Sequence, residues 1–363
     1  MSSPSRRRSR STPTAKRGAK ARGAKAKPAA AAAGPLTLAE AKRSIARSTV
    51  RRAPRAALAG AAPADIGVAR RRLAARQSDE TKERIRAYRA TLSLFEQQGF
   101  ALHPRPAGAP RAAAPSAPPL RVLAEGDAWF DYPILPRRGL IPRLEDRIGV
   151  PILNLAQAGD EVRFMLGVKQ RERLEKLVGE AAQQGEPWDA LLFSGGGNDI
   201  VDNPMCLWIR DYDASQTPAW HLDAARFQAA LDIVRAGYED LIELRGRLSK
   251  ETTIFLHAYD FAIPDGRGVC HLGPWMRPTF KYRKFPSKVE GARVVKVMLQ
   301  LFEGMLKSLA LQHPNVVFIP GQGTLDAHPD WWHNELHPNG KGFDLFVENF
   351  RNALKSVFPT RVR

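Results

Sequence analysis

The sequence predicts an α/β domain: a five-stranded parallel sheet with helices on both faces, over residues 121–363. Three observations predict it. Short apolar runs at Arg121–Ala124, Val150–Leu155, Ala190–Ser194, Thr252–His257 and Asn315–Ile319 lack polar alternation, as strands buried on both faces do. Longer helical patterns separate them, near 161–182, 222–248, 287–312 and 341–356. The charge is also partitioned. Residues 1–120 hold 26 basic and 6 acidic residues, whereas residues 121–363 hold 30 and 31, and all seven Trp. A near-neutral domain thus follows a strongly basic, aromatic-poor extension. Nucleic-acid binding along the whole chain is excluded, because the second part has no basic excess to set against a phosphate backbone.

The elements follow in order. Residues 1–35 are Ser, Arg, Lys, Ala and Pro, with Gly18–Arg22 almost repeated as Gly23–Lys27. Such a segment cannot bury a core and is expected to be a disordered basic tail. It reads either as an arm making weak polyanion contact or as a solvated tail without a partner. Residues 36–103 are expected to be a helical extension, with helices over Leu38–Val50 and Val68–Phe100. Ile85, Tyr88, Leu92 and Phe95 form an apolar stripe that docks on the neighbouring domain or on a copy of itself. Residues 104–120, rich in Pro and Ala, read as an extended linker.

Cys206 and Cys270 are too few for a disulfide framework and lack metal-site spacing. No run approaches the ~18 apolar residues of a membrane span, and no leucine- or valine-rich signal core follows the basic start. The expected location is the cytoplasm.

In open α/β sheets, function collects at the carboxyl ends of the strands. After the first strand comes Glu125-Gly-Asp-Ala-Trp-Phe-Asp-Tyr-Pro133, and after the second Asn154-Leu-Ala-Gln-Ala-Gly159. After the third comes Ser194-Gly-Gly-Gly-Asn-Asp199, and beyond the fifth Asn334-Glu-Leu-His-Pro338. Singly, each has a plain structural reading as a tight turn, a helix cap or a surface histidine. Together and in order, they resemble the signature blocks of the SGNH hydrolases, the GDSL-type esterase and lipase superfamily. The resemblance covers about residues 121–357. It implies a flavodoxin-like three-layer domain, a small ester or acylated substrate and no cofactor. It also implies an oxyanion hole from the N–H groups of Ala128 and Gly159 and the carboxamide of Asn198. His337 takes the place of the base, Asn334 that of its orienting group, and Asp127 and Asp199 brace the site.

Two departures matter. The nucleophile position is Ala128, and the residue three before the histidine is Asn334 rather than Asp. A serine esterase needs a hydroxyl whose proton the histidine removes. Alanine has no attacking atom, and loss of the serine in a serine protease lowers turnover about 10⁶-fold. Its backbone N–H survives, so the site can still hold a carbonyl oxygen. Asn334 can accept from the imidazole but cannot offset imidazolium charge, and Asp330 and Glu335 are nearby carboxylates that could serve instead. Ser194 lacks an evident base. His328, His333 and His337 admit a metal reading that Pro329 and Pro338 and the missing carboxylate pattern weaken. Segments 200–221 (Met205, Trp208, Tyr212, Trp220) and 258–286 (Tyr259, Asp260, Phe261, Trp275, Tyr282) leave the same edge. With Trp129, their aromatics Trp208, Tyr259 and Trp275 are the expected pocket; the plain alternative is that they only cover the edge.

Three functional readings follow. The chain is a serine-to-alanine form of an ester hydrolase, or a natural pseudo-hydrolase that binds an acyl or acetylated ligand, or a polyanion binder acting through its basic arm.

Overall fold

Apolar runs become strands only when helices cover both faces, and all five expected runs do so. A computed structural model describes residues 34–49, 66–104, 118–132, 139–269, 273–325 and 328–363. Nearly all of the expected basic tail, most of the Pro/Ala linker and Cys270 lie outside the described residues; Cys206 is a free thiol.

The strands are β1 (Val122–Gly126), β2 (Ile152–Asn154), β3 (Ala190–Ser194), β4 (Thr253–His257) and β5 (Val316–Ile319). They form one parallel sheet in the order β2-β1-β3-β4-β5, the flavodoxin-like order. Every residue of β1, β3 and β4 is buried. From β1 the chain moves outward to β2 and then returns across β1 to β3. The direction therefore reverses at β1, and a crevice opens at its carboxyl end.

The helices are α1 (Leu38–Thr49), α2 (Ile66–Gln98), α3 (Leu140–Ile148), α4 (Val162–Met165), α5 (Val168–Gln183), α6 (Gly197–Ile200), α7 (Ala224–Leu248), α8 (Arg277–Tyr282), α9 (Lys288–Gln312) and α10 (Gly340–Val357). Helices α5, α7 and α9 pack side by side on one face, and α3 and α10 pair on the other. The single helix expected near 161–182 is instead two. Gly167, extended at φ −73° and ψ 158°, separates α4 from α5, as a residue with poor helix propensity does. Helix α3 was not evident in the sequence: it is short and carries Pro142, which its first turn tolerates. No helix among the described residues is long and apolar enough to cross a membrane.

The helical extension packs on the edge strand β2. Tyr88 and Phe95 of its stripe are buried, and Ile85 and Leu92 pack partly buried against the core. Tyr88 lies 5.5 Å from Trp188, Lys42 pairs with Glu145 at 2.9 Å, and Leu36 bridges in parallel to Phe100. The stripe thus docks on the α/β domain and shields an edge that would otherwise offer unpaired backbone groups.

The run Gly195-Gly196-Gly197 after β3 is a packing requirement as well as a turn. Gly196 has φ +99°, and a Cβ there would sit 2.7 Å from the Phe302 ring. A Cβ on Gly195 would meet Val162 at 2.8 Å, and one on Gly197 would meet Tyr259 at 2.8 Å. Gly196→Ala is expected to destabilise the fold by about 3 kcal/mol in denaturant unfolding, from backbone strain and overpacking together.

Candidate active site

Strand β1 ends in a turn held from beneath. The Asp127 N–H continues the ladder to the Ser194 carbonyl. The buried Asp127 carboxylate accepts from the Ser194 hydroxyl (2.9 Å), the Trp129 N–H (3.0 Å) and the Tyr259 hydroxyl (2.5 Å). Burial pushes this carboxyl up to about 6, and the three donors act against that rise. Asp127 is thus fully engaged with the ends of β3 and β4 and is not free to attack a substrate. Ser194 is wholly buried and committed to Asp127. Ala128 sits on the turn with only 7% of its surface exposed. Trp129 then turns into the core, and its Nε1–H donates to the Leu336 carbonyl at 3.0 Å, tying this turn to the last loop.

The loop after β2 is stitched to β1 by Leu155 N–H to Ala124 O (2.8 Å) and Gln157 N–H to Gly126 O (2.9 Å). Gly159 follows at φ +88°, a conformation that favours glycine, and a Cβ there would meet nothing within 4 Å. Asn198 donates through Nδ2 to the Asp160 carbonyl at 2.8 Å, and Asp199 accepts the Val162 N–H at 3.0 Å. The adjacent pair on α6 therefore holds the loop that carries Gly159. Burial raises the Asp160 and Asp199 carboxyls to about 6. Among the described residues, no protein acceptor takes the N–H of Ala128 or of Gly159.

His337 comes from the loop before α10. Asn334 Oδ1 accepts from the Leu336 N–H (2.9 Å), the His337 N–H (2.9 Å) and His337 Nδ1 (3.1 Å). Asn334 Nδ2 donates to the Tyr132 hydroxyl at 2.8 Å, which lies 2.6 Å from His333 Nδ1. Two backbone donors on Oδ1 and a hydroxyl on Nδ2 fix which way the carboxamide points. Nδ1 of His337 must then carry the proton, leaving Nε2 with its lone pair. The Tyr132 ring stacks on His337 at 4.6 Å, and the edge of Trp275 approaches at 6.0 Å. Burial lowers the His337 pKa to about 3, with His333 adding to the fall.

Neither alternative carboxylate reaches this histidine. Glu335 is buried and accepts four backbone N–H groups, from Gly266, Trp275, Met276 and Arg277. It anchors the loop after β4. Asp330 lies exposed in a 3₁₀ turn, where its carbonyl takes the Asn339 carboxamide. The three histidines of the metal reading also part ways: His328 lies against Trp331, His333 faces Tyr132 and His337 faces Asn334. Among the described residues, no group of three or more His, Cys, Asp or Glu is placed to hold a metal ion.

A narrow cavity of about 40 Å³ is lined by residues from the β1 turn, α6, the loop after β4, α9 and the His337 loop; Ala128 and Gly159 are not in its wall. Asp127, Trp129, Asn198 and His337 are part of that wall, and the rest is mostly apolar: Ile200, Val201, Ala262, Met276, Val295, Met298, Leu299 and Leu336. Of the expected pocket aromatics, Trp129 and Tyr259 line it. Trp275 meets the His337 ring edge-on instead. Trp208 is buried against Phe227 of α7, with ring centroids 6.0 Å apart, and lines no part of the cavity. The loops pack on each other through Tyr212, His221 and Phe285, so most of their aromatics cover the edge. Sequence reasoning missed Tyr132 and the α9 residues Val295, Met298 and Leu299. Tyr132 stood within a quoted block, but its hydroxyl partner is some two hundred residues away. The α9 residues read only as a core face.

No family model matches the chain, and no curated protein does either. Solved structures do. The chain is similar to an extracellular lipase from Streptomyces rimosus, at 14% identity over 64% of this chain and 98% of that one, with a TM-score of 0.42. It is also similar to the C-terminal catalytic domain of peptidoglycan O-acetyltransferase A from Streptococcus pneumoniae (12%, 68% and 98%, TM-score 0.34). A third is a carbohydrate esterase family 3 protein from Talaromyces cellulolyticus (10%, 66% and 98%, TM-score 0.39). Each is a likeness; the chemistry has to be read from the residues in the cleft.

A depressed basicity means that the neutral imidazole persists to lower pH than the ordinary 6.5. Nitrogen-15 spectra of histidine-labelled protein should show His337 neutral with its proton on Nδ1 until the pH falls toward 3. A midpoint near 6.5 would mean that burial does not govern this group.

Proposed function

We propose that this site is built for acyl-ester chemistry, and that with Ala128 in place of the nucleophile the chain holds an acyl or acetyl ester without turning it over. One observation carries the reading. Asn198 and His337, with its Nε2 lone pair free, line one cavity; the unpartnered N–H groups of Ala128 and Gly159 stand next in the chain to Asp127 and Trp129, which also line it, and to Asp160, whose carbonyl Asn198 bonds. Donors of that kind stabilise a developing oxyanion, and a histidine in that state is a general base. The apolar cavity walls suit the hydrocarbon part of a short acyl group.

With a hydroxyl at position 128 the steps are conventional. His337 Nε2 takes the hydroxyl proton as the oxygen attacks the acyl carbon. The carbonyl electrons move onto its oxygen, which the N–H groups of residues 128 and 159 and Asn198 Nδ2 receive. The imidazolium then gives its proton to the leaving alcohol, and water repeats the sequence on the acyl-enzyme. As the sequence stands, the first bond cannot form. The intact donors support ligand binding, and the intact His337 supports a serine-to-alanine form of an active hydrolase.

Ala128→Ser is expected to hydrolyse short p-nitrophenyl esters and to be labelled by a fluorophosphonate probe, while the chain as written does neither. A serine form that is inert and unlabelled removes the hydrolase reading. In that serine form, Asn198→Ala should lower kcat about 10²–10³-fold, the loss typical of one oxyanion donor. An unchanged rate would take Asn198 out of the oxyanion hole.

A further inference from the structure

The two backbone donors assigned to the oxyanion hole come from different loops. Ala128 lies on the turn after β1, and Gly159 on the loop after β2. Their separation is therefore a tertiary quantity. Ladder bonds to β1 fix the second loop as far as Gln157, and Asn198 and Asp199 hold its far side at Asp160 and Val162, on α6 rather than on the Ala128 turn. Asn154, at the end of β2, links them from within, its Oδ1 accepting the Ala156 N–H and its Nδ2 lying 3.4 Å from the Phe130 carbonyl; among the described residues, the side chain that bonds to both from outside is Arg84 of α2. Its Nη2 donates to Asp131 Oδ2 at 2.6 Å, at the end of the Ala128 turn. Its Nη1 donates to the Ala156 carbonyl at 2.9 Å and lies 3.4 Å from the Asn154 carbonyl, on the loop leading to Gly159.

The chemistry suits a clamp. A guanidinium is planar, so its two Nη groups hold their partners at a set distance and angle. Both ends of the ion pair are largely covered, with 20% of the Arg84 side chain and 12% of the Asp131 side chain exposed, so solvent screens it less than a surface pair. Helix α2 is itself held to the domain by Tyr88 on Trp188 and by its packing on β2, so the clamp has a fixed base.

We propose that Arg84 is a positioning residue for the oxyanion hole: it sets the spacing of the Ala128 and Gly159 N–H groups and so makes the helical extension a working part of the site. The inference rests on the ester-hydrolase reading above. Its test uses the full chain with Ala128→Ser as parent. Arg84→Met keeps the aliphatic stem and removes the fork. It should lower kcat about ten- to a hundredfold, the scale of an ångström-level misplacement, with KM nearly unchanged. Arg84→Lys keeps the charge facing Asp131 but cannot reproduce the fork. It should recover most of any lost Tm and little of the kcat. Parent-level kcat in either variant overturns the proposal, as does a loss confined to KM.

Hydrogen exchange on the chain as it stands separates the two ideas. Arg84→Met should speed exchange of the amides of residues 155–160 and leave those of β3 and β4 unchanged. If Ala128→Ser proves inert but this acceleration is seen, the ester reading fails and the clamp stands. Unchanged exchange at 155–160 removes the clamp whatever the serine form does. Should Arg84→Met not fold, Asp131→Asn removes the ion pair alone and should shift exchange and kcat in the same direction; no shift in either counts against the proposal.

Discussion

The buried carboxylate of Asp127 is the point on which the carboxyl edge of the sheet depends. Three donors converge on it, from the end of β3, from the turn itself and from the residue just beyond β4. A carboxylate out of water is stable only with such partners. Meeting its needs draws three adjacent chain segments to one place. Trp129 extends the link to the His337 loop, and Tyr259, which bonds Asp127, also forms part of the cavity wall. The surface presented to a ligand is in this sense the upper side of a buried hydrogen-bond knot.

The loops away from that knot are anchored by the same device. Asp199 takes the first N–H of α4, Asp260 takes the N–H groups of Gly323 and Leu325, and Glu335 takes four from the segment leading into α8. Backbone N–H groups in loops need acceptors once covered, and carboxylates at strand ends supply them. Several acidic residues here are thus structural, which is why proximity in sequence to His337 was a poor guide to which group orients it.

Much of the sheet was legible because burial on both faces leaves a signal that needs no partner to interpret. The runs at 190–193 and 254–256 are apolar throughout, and tertiary context only trimmed their neighbours. The strand-end blocks were legible too, and so was the alanine at position 128. What escaped was set by contacts between distant segments. Helix α3 is short and its apolar pattern is interrupted by Pro142. Trp208 has the composition of a pocket residue, but a neighbouring helix claims it. Arg84 is one arginine in an arginine-rich stretch, and nothing local distinguishes it. The stripe on α2 announced a docking face, while its partner became evident only once β2 was seen to be an edge strand.

The carboxamide at Asn334 has a further consequence for direction. A carboxamide has a donor end and an acceptor end, and here its surroundings fix both. From Asn334 the Nδ2–H runs outward to the Tyr132 oxygen, which lies 2.6 Å from His333 Nδ1. A carboxylate in its place would have no hydrogen to give. Tyr132 would then have to turn its hydrogen inward, toward that carboxylate. The identity of residue 334 therefore sets which way the Tyr132 hydroxyl must point, and the polarity of that bond is written by one atom of one side chain.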